Sequence, residues 1–299
     1  MYQLKNKLKT VISILVDNRK LNTKKNLLKI VKFIFPLRTF KEKKLLLRYK
    51  NYLKDVDPIF REDLGLNCKK IDTDSIVLSS RERFDQKKYT QKNRKEYLQE
   101  LTNIFDYPPN SPEIMFASSK VLLKSIISYL GCFPVLHNIT LMYSPNKVTN
   151  SLSGSQLWHR DAEDIKNIKI WIPINEIDED CGPTLTIDKD QSNEIAKKLN
   201  YIQGGLVEEN HEDFSKIKPI KLVGKAGDVM ITDTDSSFHC GSVPKNNKSK
   251  QRLVLMIHYV SGFSAYYRPV INLKPSHYNK IYNFEIRDPI TKDLLRFII

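Results

Sequence analysis

The stretch that decides the fold of this chain is Ser155-Gln156-Leu157-Trp158-His159-Arg160-Asp161. On a β-strand, residues i and i+2 project from the same face, so His159 and Asp161 can reach one ion while Arg160 points away. A second histidine, His239, lies well downstream. Two histidines and one carboxylate form the facial ligand set that holds iron(II) on one side and leaves the other side open. The pattern therefore predicts a metal site made by His159, Asp161 and His239.

Strand-like segments surround this pair. Residues 166–174 alternate around Trp171, and residues 251–259 are rich in β-branched and aromatic side chains. Residues 224–228 are a glycine-containing turn that leads into a short apolar run before His239. Further strand-like runs are 136–143, 184–187 and 229–232. The metal-site residues are thus predicted to lie among β-strands.

These motifs resemble the phytanoyl-CoA dioxygenase family of iron(II)- and 2-oxoglutarate-dependent oxygenases over roughly residues 115–270. The matching series is His159-x-Asp161, Trp171-Ile172-Pro173, Gly182-Pro183, Gly227-Asp228, His239 and Arg252. The resemblance implies a mainly β fold with flanking helices around a double-stranded β-helix, the cupin-like jelly roll. It also implies that His159, Asp161 and His239 bind iron and that Arg252 binds the distal carboxylate of 2-oxoglutarate. Arginine suits that role because its planar, charged fork can donate two parallel hydrogen bonds to a carboxylate.

Two further residues are candidate co-substrate contacts. The isoleucines of residues 168–174 favour a hydrophobic layer outside the barrel, which turns Trp171 inward. The resemblance places the counterpart of Trp171 against the co-substrate, and it matches Thr140 to another contact. The alternatives are a core tryptophan and an ordinary strand threonine. His258 shares a face with Arg252, so it is either a substrate or supporting contact or a buried interior histidine.

The resemblance implies a dioxygenase that hydroxylates an unidentified small-molecule or lipid-like substrate. Its cofactors would be Fe(2+), 2-oxoglutarate as co-substrate and O2, with ascorbate as a further candidate. Related halogenases replace the carboxylate ligand with a small residue, whereas this chain keeps Asp161, so hydroxylation is favoured. The alternatives are a cupin-like metal protein that does not use 2-oxoglutarate and a non-catalytic binding protein. Arg252 favours the 2-oxoglutarate-dependent dioxygenase, since an arginine that binds a carboxylate is needed only if the site takes one.

Positive charge is concentrated at the start of the chain. Residues 1–50 hold fifteen Lys or Arg against two acidic residues, and their net charge of +13 accounts for most of the total of +15. Helical spacing of apolar residues predicts basic amphipathic helices, which can contact an anionic membrane through residues 1–35. The alternative is that these helices pack on the outer sheet, whereas a nucleic-acid partner is not expected. We found no apolar run of transmembrane length and no secretory signal.

The chain length suits one catalytic domain with appendages. Four cysteines without C-x-x-C or disulfide spacing indicate a cytoplasmic protein. Association with the periphery of a membrane is the alternative. The segment between the metal-binding strands is either part of a lid or a solvated loop. The predicted organisation is a basic helical appendage (1–50), a mainly helical part of the catalytic domain (51–131), a double-stranded β-helix (132–270) with an insertion (188–222), and a tail that packs on the core (271–299).

Overall fold

The computed structural model describes most of the chain between residues 36 and 295. The described residues are 36–55, 72–87, 97–149, 151–164, 166–208, 210–246, 248, 250–262 and 289–295. The predicted membrane contact through residues 1–35 lies outside the described residues, and the predicted domain boundaries stay predictions. Within the described part of the chain, no helix is long and apolar enough to cross a bilayer.

Ten strands are described, and they pair throughout as antiparallel neighbours. Their bounds are β1 Gln99–Glu100, β2 Pro134–Ser144, β3 Trp158–His159, β4 Asn167–Pro173, β5 Thr184–Thr186, β6 Leu206–Val207, β7 Ile220–Lys221, β8 Met230–Thr232, β9 His239–Gly241 and β10 Arg252–Ser261. One five-stranded sheet has the order β1-β2-β10-β4-β8 and the other has the order β6-β3-β9-β5-β7. Inward side chains of both sheets line one cavity. The fold is the predicted double-stranded β-helix.

The helices flank these sheets. Their bounds are α1 Pro36–Tyr52, α2 Asp74–Lys87, α3 Pro112–Ala117, α4 Lys120–Leu130, α5 Lys189–Lys198, α6 Glu212–Ser215 and α7 Pro289–Leu294. Helices α3 and α4 are separated by Ser118 and Ser119. The Ser118 hydroxyl donates to the Ile114 carbonyl at 2.8 Å, and Ser119 stands at the N-cap position of α4 with an extended backbone. α4 ends at Gly131, which adopts the left-handed conformation at φ 69°.

The larger sheet buries its outer face under helices. Ile168, Ile170 and Ile172 of β4 are completely buried in a cluster that also contains apolar residues of α1, α2, α3, α4 and α7. The predicted outward direction of these isoleucines is therefore confirmed. Because side chains alternate along a strand, the neighbouring positions of β4 must face the barrel interior. The tail helix α7 is also joined to α1, where the Tyr49 hydroxyl donates to Asp293 Oδ2 at 2.6 Å.

The predicted insertion packs on the outside of the smaller sheet. Phe214 of α6 stacks on Trp158 of β3 with ring centroids 5.2 Å apart, and Ile195 of α5 is buried in the same cluster. Leu222, at the end of the insertion, is its one described residue that lines the cavity between the sheets. The described insertion therefore packs behind the smaller sheet, and the lid interpretation gains no support from it.

Candidate metal centre

The three predicted ligands converge between the two sheets. His159 of β3 pairs directly with His239 of β9, so their rings lie 4.2 Å apart between centroids. Asp161 follows β3 and points the same way as His159, as the i, i+2 spacing requires. Its carboxylate oxygens lie 3.8 Å from His159 Nε2 and 3.7 Å from His239 Nε2. One potential ligand atom from each residue lies within 4.8 Å of the others, which is close enough to hold a single ion.

Both imidazoles are oriented by the backbone two residues earlier. His159 Nδ1 lies 2.8 Å from the Leu157 carbonyl oxygen, and His239 Nδ1 lies 3.2 Å from the Ser237 carbonyl oxygen. A carbonyl can only accept, so Nδ1 carries a proton in each ring and Nε2 is the atom that faces Asp161. Burial lowers the pKa of His239 to about 3, although Asp161 acts in the opposite direction. The ring is therefore neutral, as a metal ligand must be.

The backbone of Asp161 is held from two directions. Its N–H donates to the Thr234 carbonyl at 2.8 Å, in the loop between β8 and β9. The Gln203 side chain, which comes from the insertion, donates through Nε2 to the Asp161 carbonyl at 2.5 Å and to the Asp235 carbonyl at 2.6 Å. These hydrogen bonds join the strand that carries Asp161 to the loop that leads to His239. Gln203 is a positioning residue that sequence reasoning missed.

Arg160 points away from the ligands, as predicted. Its side chain is buried on the far side of β3, where Nε donates to the Asp235 carbonyl at 2.8 Å and the guanidinium lies over Phe238. Its carbonyl accepts from the Gly204 N–H at 3.0 Å. The residue between the two ligands thus helps to anchor the insertion to the metal-binding strand.

Lys169 brings a positive charge to the ligand cluster. It lies on the inner face of β4, and its Nζ is 2.5 Å from Asp161 Oδ2. Burial alone would lower the pKa of Lys169, but Asp161 and Glu163 hold it above its usual value. Burial alone would raise the pKa of Asp161, yet Lys169, His239 and His159 hold it well below its usual range. Asp161 is therefore a charged carboxylate beside a charged ammonium.

The ligand cluster lies in a cavity of about 340 Å³ between the sheets. Apolar side chains supply much of its wall, and the larger sheet contributes Met142, Trp171, Met230, Val254 and Met256. Trp171 faces inward as predicted, and its Nε1 donates to Thr232 Oγ1 at 2.8 Å. A partly enclosed apolar cavity with a few convergent polar groups is typical of a small-molecule site.

Arg252 lies in the same cavity, at the start of β10. One of its terminal nitrogens donates to Ser144 Oγ at 3.2 Å, across the strand pair that places these two residues opposite each other. Among the described residues, Arg252 forms no ion pair with a carboxylate. Burial lowers the pKa of Arg252 to about 10, so the guanidinium stays charged at neutral pH. A partly buried cation that has no acidic partner among the described residues is suited to bind an anionic ligand.

Thr140 and His258 lie deeper on the same inner face. Thr140 is buried and its hydroxyl accepts from Asn138 Nδ2 at 2.6 Å, but Thr140 is not among the residues that line the cavity. His258 packs edge-on against His137 with ring centroids 4.8 Å apart. Its Nε2 is buried and has no hydrogen-bond partner among the described residues, and burial lowers the pKa of His258 well below its usual value. The roles of both residues stay predictions.

Comparison with known proteins gives structural likenesses only. No protein-family model and no curated protein matches the chain. Among solved structures, EvdMO1 is 13% identical, and the match covers 72% of this chain and 50% of that protein with a TM-score of 0.46. The chain therefore spans half the length of EvdMO1. EctD from S. alaskensis, solved with 2-oxoglutarate and 5-hydroxyectoine, is 16% identical over 68% of this chain and 74% of that one, with a TM-score of 0.44.

A third similar structure is SnoN, described as a non-heme alpha ketoglutarate dependent epimerase from nogalamycin biosynthesis. It is 11% identical over 73% of this chain and 82% of that one, with a TM-score of 0.44. Sequence identities and TM-scores this low assign no role to any residue of this chain, so the site is interpreted from its own residues.

Replacing Gln203 with leucine tests its positioning role. We expect Gln203→Leu to lower the free energy of unfolding by about 1–3 kcal/mol, because the Asp161 carbonyl loses the Gln203 donor and the Asp235 carbonyl is left with Arg160 Nε. Metal binding should weaken in the folded variant, since Asp161 loses a backbone restraint. Chemical denaturation and calorimetric metal titration measure the two effects. The matched control is Gln191→Leu, at an exposed position of α5. Equal behaviour of the two variants would show that Gln203 does not position Asp161.

Proposed function

We propose that this protein is an iron(II)- and 2-oxoglutarate-dependent dioxygenase of the phytanoyl-CoA dioxygenase family that hydroxylates a small or lipid-like molecule. The observation that carries the proposal is the presence of two features in one cavity. One is the cluster of His159, Asp161 and His239, and the other is the partly buried guanidinium of Arg252. The cluster supplies a facial ligand set for a metal, and Arg252 supplies a charge for a carboxylate.

The donor set fits iron(II). Two imidazoles present Nε2 and one charged carboxylate presents oxygen, which are ligands that suit divalent iron. All three come from the smaller sheet and its adjoining loop, so they approach an ion from one side. The opposite side faces the cavity, where a co-substrate and O2 can reach it. When bound, iron with 2-oxoglutarate would supply the oxidising chemistry for hydroxylation, with ascorbate as a further candidate cofactor.

The cavity suits 2-oxoglutarate at one end. Arg252 and the Ser144 hydroxyl would bind its distal carboxylate, and Trp171 would lie along its chain. Thr140 remains a proposed contact from the deeper part of the inner face. The methionines and Val254 would exclude water from the reacting groups, which strengthens the charge interactions inside the site. The remaining apolar wall supports a small or lipid-like substrate.

The second candidate function is a cupin-like metal protein that does not use 2-oxoglutarate. The same three ligands would serve it, so the metal cluster does not distinguish the two proposals. Arg252 does, because an arginine that lines the cavity and has no carboxylate partner among the described residues is explained if the site takes an acidic co-substrate. A non-catalytic binding protein is disfavoured by the intact set of three ligands.

Ligand substitutions test the metal site. The purified protein should bind one iron(II), and His159→Ala, Asp161→Ala and His239→Ala should each abolish tight binding, because two remaining ligands cannot maintain facial chelation. Anaerobic calorimetric titration measures the affinity. His211→Ala is the matched control, since His211 lies outside the cavity. Retention of normal iron affinity in all three variants would contradict the assignment.

Substitution of Arg252 tests the co-substrate. Arg252→Ala should keep iron and weaken 2-oxoglutarate binding by roughly 2–4 kcal/mol, because a buried carboxylate would lose its charged partner. Arg252→Lys should recover only part of the affinity, since an ammonium cannot reproduce the fork. The metal-to-ligand absorption band of the anaerobic complex reports binding, and the exposed Arg48→Ala serves as control. Unchanged affinity in Arg252→Ala would favour the cupin-like alternative.

A further inference from the structure

Lys169 contacts the carboxylate of the ligand cluster although it is not a metal ligand. Its Nζ lies 2.5 Å from Asp161 Oδ2, and only 12% of each of the two side chains is exposed. We propose that Lys169 competes with the metal for Asp161 and thereby sets the metal affinity of the site. This inference rests on the proposed metal-binding function and adds a regulating residue to it.

The strand register fixes Lys169 in this place. Lys169 pairs with His258 of β10 on one side and with Thr232 of β8 on the other, in the middle of the larger sheet. Its side chain must therefore project into the barrel, on the face shared with Trp171. Because β4 is paired on both sides, the sheet fixes the backbone position of Lys169. The ammonium is a permanent positive charge close to the position that a metal ion would take.

The positive charge of Lys169 determines whether this residue strengthens or weakens metal binding. Asp161 and Lys169 together are neutral, and a divalent ion bound by Asp161 would add two positive charges beside the ammonium. Like charges repel strongly at short range in a protein interior, so Lys169 opposes metal binding. The ion must also share or take over the carboxylate oxygen that Lys169 contacts.

A stabilising role for Lys169 in ligand orientation is the alternative, and the surrounding contacts argue against it. Asp161 is already held by its N–H on the Thr234 carbonyl and by Gln203 on its own carbonyl. Removal of Lys169 would therefore leave the backbone of the ligand in place. Loss of the opposing charge should outweigh loss of one side-chain hydrogen bond.

Glu163 is the second acidic group available to the ammonium. It lines the same cavity, two residues after Asp161, and its charge contributes to raising the pKa of Lys169. When a metal binds Asp161, Lys169 can turn its charge toward Glu163. Glu163→Gln should accordingly weaken metal binding, because the displaced ammonium would lose this partner.

The test uses the full chain and cobalt(II), whose binding is followed by absorption. Lys169→Met removes the charge and keeps the length of the side chain, and we expect roughly tenfold tighter binding. Lys169→Arg should bind cobalt(II) like the unaltered protein. Without metal, Lys169→Met should melt at a lower temperature than the unaltered protein, because Asp161 lacks a counter-ion. Added metal should restore the melting temperature. Lys221→Met removes an exposed lysine that pairs with Glu179, and it should change neither quantity.

The results separate this inference from the proposed function. If the unaltered protein binds cobalt(II) but Lys169→Met binds it equally or more weakly, competition by Lys169 is refuted while the metal site stands. If the unaltered protein binds no metal, both proposals are refuted. Should Lys169→Met fail to fold, Lys169→Gln replaces it, with tighter binding again expected and unchanged or weaker binding again contradicting the inference.

Discussion

The antiparallel pairing of β3 with β9 is the constraint on which the candidate site depends. It places His159 directly opposite His239. Because alternate residues share a face, Asp161 then follows on the same side. The chain needs no specialised loop to form the ligand cluster, since ordinary strand geometry brings it together. The insertion and the loop before His239 add the restraints that hold the two strand ends in place, through Gln203 and the carbonyls that it binds.

The alternation of side chains along the strands also separates the residues that form the core from those that line the cavity. The outer positions of β4 and β10 are buried under helices, while the inner positions carry Lys169, Trp171 and Arg252. Packing can therefore fix the strands without depending on the site. The alternation also places charged side chains in a cavity where they are poorly solvated. Each inner charge must then find a partner or a ligand, as Lys169 does with Asp161 and as we propose that Arg252 does with a carboxylate.

Local spacing predicted the convergence of His159 and Asp161 and the inward direction of Trp171. The double-stranded β-helix was implied by the family resemblance. Two features escaped prediction because they depend on contacts between distant segments. The double hydrogen bond of Gln203 joins residues from three separate segments, and nothing in its local sequence marks it. The position of Lys169 on the inner face could be inferred from Trp171, but its contact with Asp161 depends on how the two sheets face each other.

Iron K-edge X-ray absorption of the anaerobic iron complex tests the central claim most directly, because it identifies the ligand atoms themselves. The account predicts a shell of nitrogen and oxygen only, with the scattering pattern of two imidazole rings, and the loss of one ring's contribution in His239→Ala. Cys240 adjoins His239, but strand alternation turns its thiol to the other side of the sheet, where it is buried with Ile195 and Phe214. A sulfur neighbour, or an imidazole contribution unchanged in His239→Ala, would contradict the account.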